Sequence, residues 1–216
     1  MTTFRDITLQ CPVCGTWFVS RSVAEIGPPA GTHTDFHRRA DGPRALACLV
    51  HMCSGCGFAG VQDDFAGDEV SAASATEMAG DRVPVTTCES VLGSEKYEAA
   101  AAIAERRGAG PLAVGDLLLR AAWCCVDEAD VEGERFFRWK AAASFEGALS
   151  RYDEVSRDRR AEYTYLVGEL WRRAGERARA REWFDRVAGE VADPATEGWI
   201  LRLAMQQRDQ PREWLG

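Results

Sequence analysis

Two Cys-x-x-Cys pairs, each followed directly by a glycine, constrain the fold of this 216-residue chain more than any other feature. The pairs are Cys11 with Cys14 and Cys53 with Cys56. Four thiolates complete the tetrahedral shell of Zn²⁺ and leave no open position, as in structural zinc sites. Glycine suits the position after each pair because the turn there often needs a positive φ. The spacing therefore predicts one structural zinc ion; rubredoxin-like iron is less favoured, and a dithiol redox pair is the other alternative.

The cysteines point to metal rather than disulfides, because nothing in the sequence marks the chain for export. It contains eight cysteines, and residues 1–10 lack the apolar segment of a secretory signal. In a reducing compartment, close cysteine pairs are better interpreted as metal ligands than as disulfides. No apolar run approaches the roughly 20 residues that cross a bilayer. We therefore expect a cytoplasmic protein that does not enter a membrane.

Residues 1–65 are predicted to form the cysteine module, a small β zinc ribbon of the rubredoxin-like kind. The segments "DITLQ", "TWFVS" and "ALACLV" around the pairs have the aliphatic, aromatic and Thr content that favours strands. Two hairpins meeting at the metal are the simplest arrangement, with Cys48 buried in the third strand. The 38 residues between Cys14 and Cys53 exceed the gap of a minimal ribbon, so residues 21–44 are expected to leave the ribbon core.

Three histidines, His33, His37 and His51, lie in this module. Four cysteines already complete a zinc shell, so we do not expect the histidines to bind the metal. His37 with Asp35 could do acid–base work, but the sequence has neither a nucleophile motif nor a Gly-rich phosphate loop. Whether the chain is an enzyme is left open, with a non-enzyme favoured. Asp35 is expected to accept hydrogen bonds from its own loop, while Phe36 packs on the ribbon.

Residues 94–216 are predicted to form a helical domain, after a linker over residues 66–93 that has room for one short helix. The run "EKYEAAAAIAERR" favours a helix that begins at an N-cap of Ser94 and ends at Gly108. Two apolar stripes with helical spacing follow, over residues 117–125 and 137–152. The acidic segment "DEADVEGE" between them is interpreted as an inserted loop.

The next two helices match the 34-residue tetratricopeptide repeat, in which small residues lie where two helices touch. Only Gly175 and Glu176 separate these helices, and a turn that short requires a helical hairpin. Asp193 and Pro194 then predict the start of a final helix. The fold is therefore expected to be α+β, mainly α: a β zinc ribbon followed by a tetratricopeptide-like domain with one good and one degenerate repeat. The residues at signature positions are Ala161, Gly168, Trp171, Gly175, Ala180 and Phe184.

Several motifs together resemble the bacterial domain-of-unknown-function family 2225. They are "CPVCGTWF", "THTDFHRRADGP", "CSGCGFAGVQDDF" and, further along, "AEYTYLVGELWRRAGERARAREWF". The family's Asp-Phe in the loop between the cysteine pairs corresponds to Asp35-Phe36, and its second Asp-Phe to Asp64-Phe65. The resemblance covers nearly the whole chain. It implies the same architecture, a cysteine module followed by tetratricopeptide-like helices, and carries no activity with it.

Charge argues against nucleic acid as the partner. The chain has a net charge of −8, and residues 1–65 contain five Arg and six acidic residues, whereas binding to phosphates requires a basic face. We expect a non-catalytic adaptor that binds an unidentified protein or peptide, because the concave faces of helical repeats do so. Tyr163 and Trp171 are the candidate partner-binding residues, with core packing as their alternative. A nucleic-acid-associated zinc ribbon and a thiol/zinc redox switch are the alternative functions.

Overall fold

The fold is described by a computed structural model that covers residues 1–40, 45–66, 91–151 and 153–215. Within those residues, three two-stranded antiparallel sheets precede six α-helices. The expected α+β class with mainly helical content is confirmed. Among the same residues, no helix has both the length and the apolar character that crossing a membrane requires.

The strands form three hairpins in chain order. β1 pairs with β2, β3 with β4, and β5 with β6. Each cysteine pair lies in the turn of a hairpin, the first between β1 and β2 and the second between β5 and β6. The expected pair of hairpins at the cysteines is therefore present. The strands are β1 (Thr3–Gln10), β2 (Trp17–Glu25), β3 (Pro29–Thr32), β4 (Arg38–Ala40), β5 (His51–Met52) and β6 (Ala59–Gly60).

The prediction of a strand over "ALACLV" is wrong. Residues Leu46–Cys48 form a 3-10 helix, and the extended backbone begins only at His51. The backbone oxygen of Leu46 accepts a hydrogen bond from the Tyr97 hydroxyl at 3.1 Å, which fixes this turn against the first α-helix. Packing against a helix has overridden the strand propensity, and Cys48 therefore lies in a helical turn rather than in an alternating strand.

Each α-helix packs against the next one along the chain, and α4 also contacts α6. The turns between α2 and α3 and between α4 and α5 span two residues each, so both pairs are tight hairpins. The cysteine module joins this stack through β6 and the 3-10 helix, both of which pack on α1. The helices are α1 (Gly93–Arg106), α2 (Pro111–Glu128), α3 (Val131–Ser150), α4 (Arg160–Ala174), α5 (Arg177–Glu190) and α6 (Pro194–Asp209).

Two predicted helix boundaries are wrong. The acidic segment is not an inserted loop: only Ala129 and Asp130 separate α2 from α3, and the Asp130 carboxylate accepts a hydrogen bond from Gly133 N at 2.9 Å as an N-cap. Ser94 does not cap α1, whose N-cap is Leu92. The Ser94 hydroxyl instead donates to Glu128 on α2 at 2.5 Å. By contrast, the predicted start of the final helix is confirmed, since Asp193 caps α6 at Pro194.

The predicted linker over residues 66–93 lies mostly outside the described residues, which include only its ends at 66 and 91–93. Cys88 and Tyr152 also lie outside them. The boundaries between the cysteine module, the linker and the helical domain stay a prediction.

Small residues lie where the helices approach most closely. A Cβ atom added at Gly168 would come within 2.7 Å of the Phe184 ring, and one added at Gly115 within 2.6 Å of the Phe145 ring. Gly175, at the turn between α4 and α5, has a φ of 97°. These contacts fit the small–large pattern of the proposed repeat, and the tetratricopeptide assignment itself stays a prediction.

Candidate metal centre

The four predicted ligands meet at one point between the two hairpins. The Sγ atoms of Cys11, Cys14, Cys53 and Cys56 all lie within 4.8 Å of one another. Cys11 Sγ is 3.6 Å from Cys56 Sγ, and Cys14 Sγ is 3.6 Å from Cys53 Sγ. A tetrahedral ion with metal–sulfur bonds of about 2.3 Å needs sulfur–sulfur distances of about 3.8 Å. The cluster is therefore compatible with one tetrahedral metal ion.

The two cysteine turns have the same backbone geometry. Gly15 and Gly57 have φ values of 71° and 75°. Each donates its backbone N–H to the backbone oxygen of the first cysteine of its pair, at 2.9 Å in both turns. A left-handed residue at this point favours glycine, because a Cβ atom would clash with the following backbone. The positive φ expected from the sequence is confirmed at both glycines.

The sulfur atoms differ in exposure and in acidity. Cys11 and Cys53 are buried, whereas Cys14 is exposed. Interactions with the thiols of Cys11 and Cys56 lower the pKa of the Cys53 thiol. Gly55 N also donates to Cys53 Sγ at 3.3 Å, so the protein stabilises negative charge on this sulfur.

The histidines of the module lie apart from the sulfur cluster. His51 is buried, its Nδ1 lies 2.8 Å from the Ser20 hydroxyl, and burial lowers its pKa to about 4. His37 stacks on Trp123 with 4.8 Å between the ring centroids, and His33 lies 3.9 Å from the Trp214 ring. His33 and His37 therefore contact the rest of the chain, whereas His51 contacts Ser20 within the module.

The segment of residues 33–37, which we call the clamp loop, enters the helical stack. Asp35 is fully buried, and its Oδ2 atom accepts hydrogen bonds from Trp123 Nε1 at 2.9 Å on α2 and from Arg138 Nη1 at 2.5 Å on α3. Burial alone would raise the pKa of the Asp35 carboxyl, but Arg138 and Arg173 hold it well below its usual range. The expected bond within the loop is present but weak, from His37 N at 3.5 Å. Asp35 mainly joins the loop to two helices.

A second buried ionic group holds the clamp loop against α4. Glu169 is fully buried and accepts hydrogen bonds from Arg172 at 2.8 Å, from Arg173 at 2.7 Å and from the Thr34 hydroxyl at 2.5 Å. The Tyr165 hydroxyl donates to the backbone oxygen of Thr34 at 2.7 Å. Every carboxylate oxygen of this buried acid is therefore paired, as a buried charge requires.

Residues 212–215, which we call the C-terminal tail, close over the clamp loop. Thr34 N donates to Glu213 O at 3.1 Å, and Leu215 N donates to Thr32 O at 2.9 Å. Glu213 also pairs with Arg172 and Arg173. The loop therefore lies between the helices and the tail.

The two predicted partner-binding residues lie inside the helical domain. Trp171 has 0% of its surface exposed, and its indole N–H donates to Glu146 at 2.6 Å. Tyr163 is 5% exposed and packs against Phe145 with 5.3 Å between the rings. The geometry favours their alternative interpretation, core packing.

The sequence patterns did not predict the partners of the clamp loop, namely Trp123, Arg138, Glu169 and the C-terminal tail. A signal existed for two of them. Arg138 follows Phe137 and precedes the buried Ala141, and Glu169 lies between Gly168 and Leu170 on a buried helix face. An ionisable side chain on an apolar face needs a buried partner, and the loop's Asp35 and Thr34 were available.

The comparisons with known proteins give one match. A family model described as "Uncharacterized protein conserved in bacteria (DUF2225)" matches residues 4–210, which include the four cysteines, the clamp loop and all six described helices. No curated protein and no solved structure matches the chain.

Proposed function

Because the chain belongs to the bacterial family DUF2225, whose function is unknown, we propose its role from the site itself: a zinc-stabilised, non-catalytic scaffold for protein interaction. The family resemblance drawn from the motifs is confirmed. The proposal has two parts, the metal and the interaction surface, and each has its own experiment.

The four-sulfur cluster supports zinc as the metal. Its donors are four thiolates, which zinc prefers in structural sites, and the two nearest sulfur pairs, at 3.6 Å, are close to the tetrahedral spacing. A Cys₄ shell would leave no position open for a substrate, so the ion would fix the two hairpins rather than react. Without it, four thiols would meet in a module of about 65 residues, a size at which the buried apolar surface gives only marginal stability.

Metal analysis of protein purified without a metal-affinity tag tests this part. We expect about one zinc per chain, and its loss in a Cys53→Ser, Cys56→Ser double variant. Cys48→Ser is the matched control, because Cys48 is a free cysteine outside the cluster. Iron in place of zinc, or zinc unaffected by the double variant, would contradict the zinc proposal.

The interaction surface is proposed on the outer face of α3. Phe136 and Trp139 are 51% and 49% exposed on this face, and Val131 is exposed at the start of the same helix. The inner face is already occupied, since the clamp loop contacts Trp123 on α2 and Arg138 on α3. Large aromatic side chains are enriched at protein interfaces, and two neighbouring ones on a helix are a suitable anchor.

Site-specific photocrosslinking in living bacteria tests the surface. A p-benzoylphenylalanine residue at position 136 or 139 should crosslink to the same discrete partner, whereas one at the exposed Glu182 on α5 should not. Trp139→Ala should weaken retention of that partner while leaving the far-UV circular dichroism spectrum unchanged. Equal crosslinking at all three positions would contradict a specific surface on α3.

A further inference from the structure

A cavity of about 420 Å³ lies where the cysteine module, the clamp loop and α2 meet. Its walls come from the turn that follows β2, from the end of the clamp loop with the start of β4, from the 3-10 helix region and from α2. Sites for small organic molecules have volumes of roughly 300–1,000 Å³ and often lie between structural units. The cavity has a suitable size and location for such a ligand.

The interior of the cavity is mainly apolar and has one flat aromatic wall. Trp123 and His37 stack with an angle of 7° between their rings, and both line the cavity beside Phe36 and Leu46. The orientation of the Trp123 indole is fixed, because its N–H donates a hydrogen bond to the buried Asp35 carboxylate at 2.9 Å. An aromatic wall held in this way is preorganised to receive a planar ring without losing rotamer freedom.

The polar groups of the cavity favour an anion. Arg38 and Arg39 line it, and Asp127 is the one acid among its described lining residues; Arg39 pairs with Asp127 at 3.5 Å. Within the described part of the chain, Arg38 has no ion pair. Burial lowers the pKa of the neighbouring His37 to about 4, so this ring adds no positive charge at pH 7. The Arg38 guanidinium is therefore the group available to a ligand's acidic group.

We propose that this cavity binds a small planar organic anion of the aromatic carboxylate class. The ring of the ligand lies along Trp123 and Phe36, and its carboxylate pairs with Arg38 at the mouth. None of the four cysteines lines the cavity, so the proposal is independent of the metal and of the α3 surface.

Binding of 2-naphthoate to the full chain, measured by isothermal titration calorimetry, tests the proposal. We expect saturable binding of one molecule per chain at submillimolar concentration. The neutral analogue 2-naphthamide should bind at least about 10-fold more weakly, because it cannot form the charge-assisted contact with Arg38. No saturable binding, or equal binding of the two compounds, would overturn the proposal.

Two variants place the ligand in the cavity. Arg38→Gln should weaken 2-naphthoate binding about 10-fold, whereas Arg5→Gln, which removes an exposed arginine of β1, should leave it unchanged. Ala45→Trp should abolish binding, since residue 45 lines the cavity and an indole would fill it. Arg38 is exposed, so its variant tests the proposal even if Ala45→Trp fails to fold. Unchanged affinity in Arg38→Gln would refute the assigned carboxylate contact.

Discussion

Asp35 joins the clamp loop to two helices, through Trp123 on α2 and Arg138 on α3. It is fully buried with Arg138, and without Asp35 this buried guanidinium keeps only Glu134 as an acidic partner among the described residues. Removing one partner of a buried ion pair costs about 3–5 kcal/mol. We therefore expect Asp35→Asn to lower the free energy of unfolding at pH 7 by that amount in chemical denaturation. Asp158→Asn, at an exposed acid, should change it by less than about 0.5 kcal/mol. A similar loss in both variants would contradict the role of the pair.

His37 predicts a pH dependence of stability. Burial lowers its pKa to about 4, although the nearby Asp35 opposes the shift, whereas an unfolded histidine titrates near about 6.5. A lowered folded pKa gives stability that is present above about pH 6.5 and lost as the pH falls toward 4. Between pH 7 and pH 5, the unfolding free energy of the native chain should therefore fall by about 1–2 kcal/mol more than that of His37→Gln. If the unfolding free energies of the two proteins changed equally with pH, His37 would have the same pKa in the folded and unfolded states.

At this scale the sequence predicted that the four cysteines come together and did not predict the partners of the clamp loop. The cysteine pairs are recognisable because both members lie within one turn of backbone, so local spacing carries the information. Asp35 and Arg138 are 103 residues apart, and no local pattern states that they pair. The position of Arg138 on an apolar helix face was the only sign of this pair in the sequence.

Substitution by alanine is expected to have opposite effects on stability at two glycines, Gly168 on α4 and Gly189 on α5. A Cβ atom at Gly168 would lie 2.7 Å from the Phe184 ring and 3.3 Å from the Ala180 backbone oxygen, so Gly168→Ala must separate the helices. We expect a loss of about 1–3 kcal/mol in thermal or chemical unfolding. Gly189 on α5 has no atom within 4 Å of the added Cβ, so Gly189→Ala should raise stability by up to about 1 kcal/mol. If both substitutions lowered stability, glycine would be needed at these positions for its backbone conformation rather than for the close packing of α4 against α5.

The helices themselves were largely predictable, whereas two of their boundaries were not. The acidic segment before α3 resembled a loop, yet Glu132 and Glu134 lie in the first turn of the helix, where its dipole favours negative charge. The "ALACLV" segment resembled a strand, yet its contact with Tyr97 on α1 gave a 3-10 turn. In both places, neighbouring elements or helix ends decided a conformation that composition left open.

For the molecule as a whole, the buried contacts of the clamp loop predict that module and helices unfold together. Zinc binding to such a module contributes directly to folding free energy. The Cys53→Ser, Cys56→Ser variant should therefore lower the melting midpoint of the helices, followed by far-UV circular dichroism, by more than about 5 °C. Cys48→Ser, outside the cluster, should leave it nearly unchanged. An unchanged helical midpoint in the double variant would mean that the two regions are thermally independent.

The sequence predicted two regions in the right order but not how they join. Periodicity and cysteine spacing describe each region separately, whereas the junction consists of side-chain pairs between distant residues, such as Thr34 with Glu169. Hydrogen-bonded pairs of this kind leave no periodic trace in the sequence, because a single residue on each element is sufficient.

The hydrogen bond from Thr34 N to Glu213 O has a consequence for how the protein is made. Translation proceeds at about 5–20 residues per second, so roughly 10–40 s separate the synthesis of these two residues. During that interval the nascent chain can form its first hairpins and helices, but the clamp loop stays uncovered by the C-terminal tail. A chaperone that recognises exposed segments would therefore meet this protein at the clamp loop, and synthesis of the C-terminal tail would end their encounter.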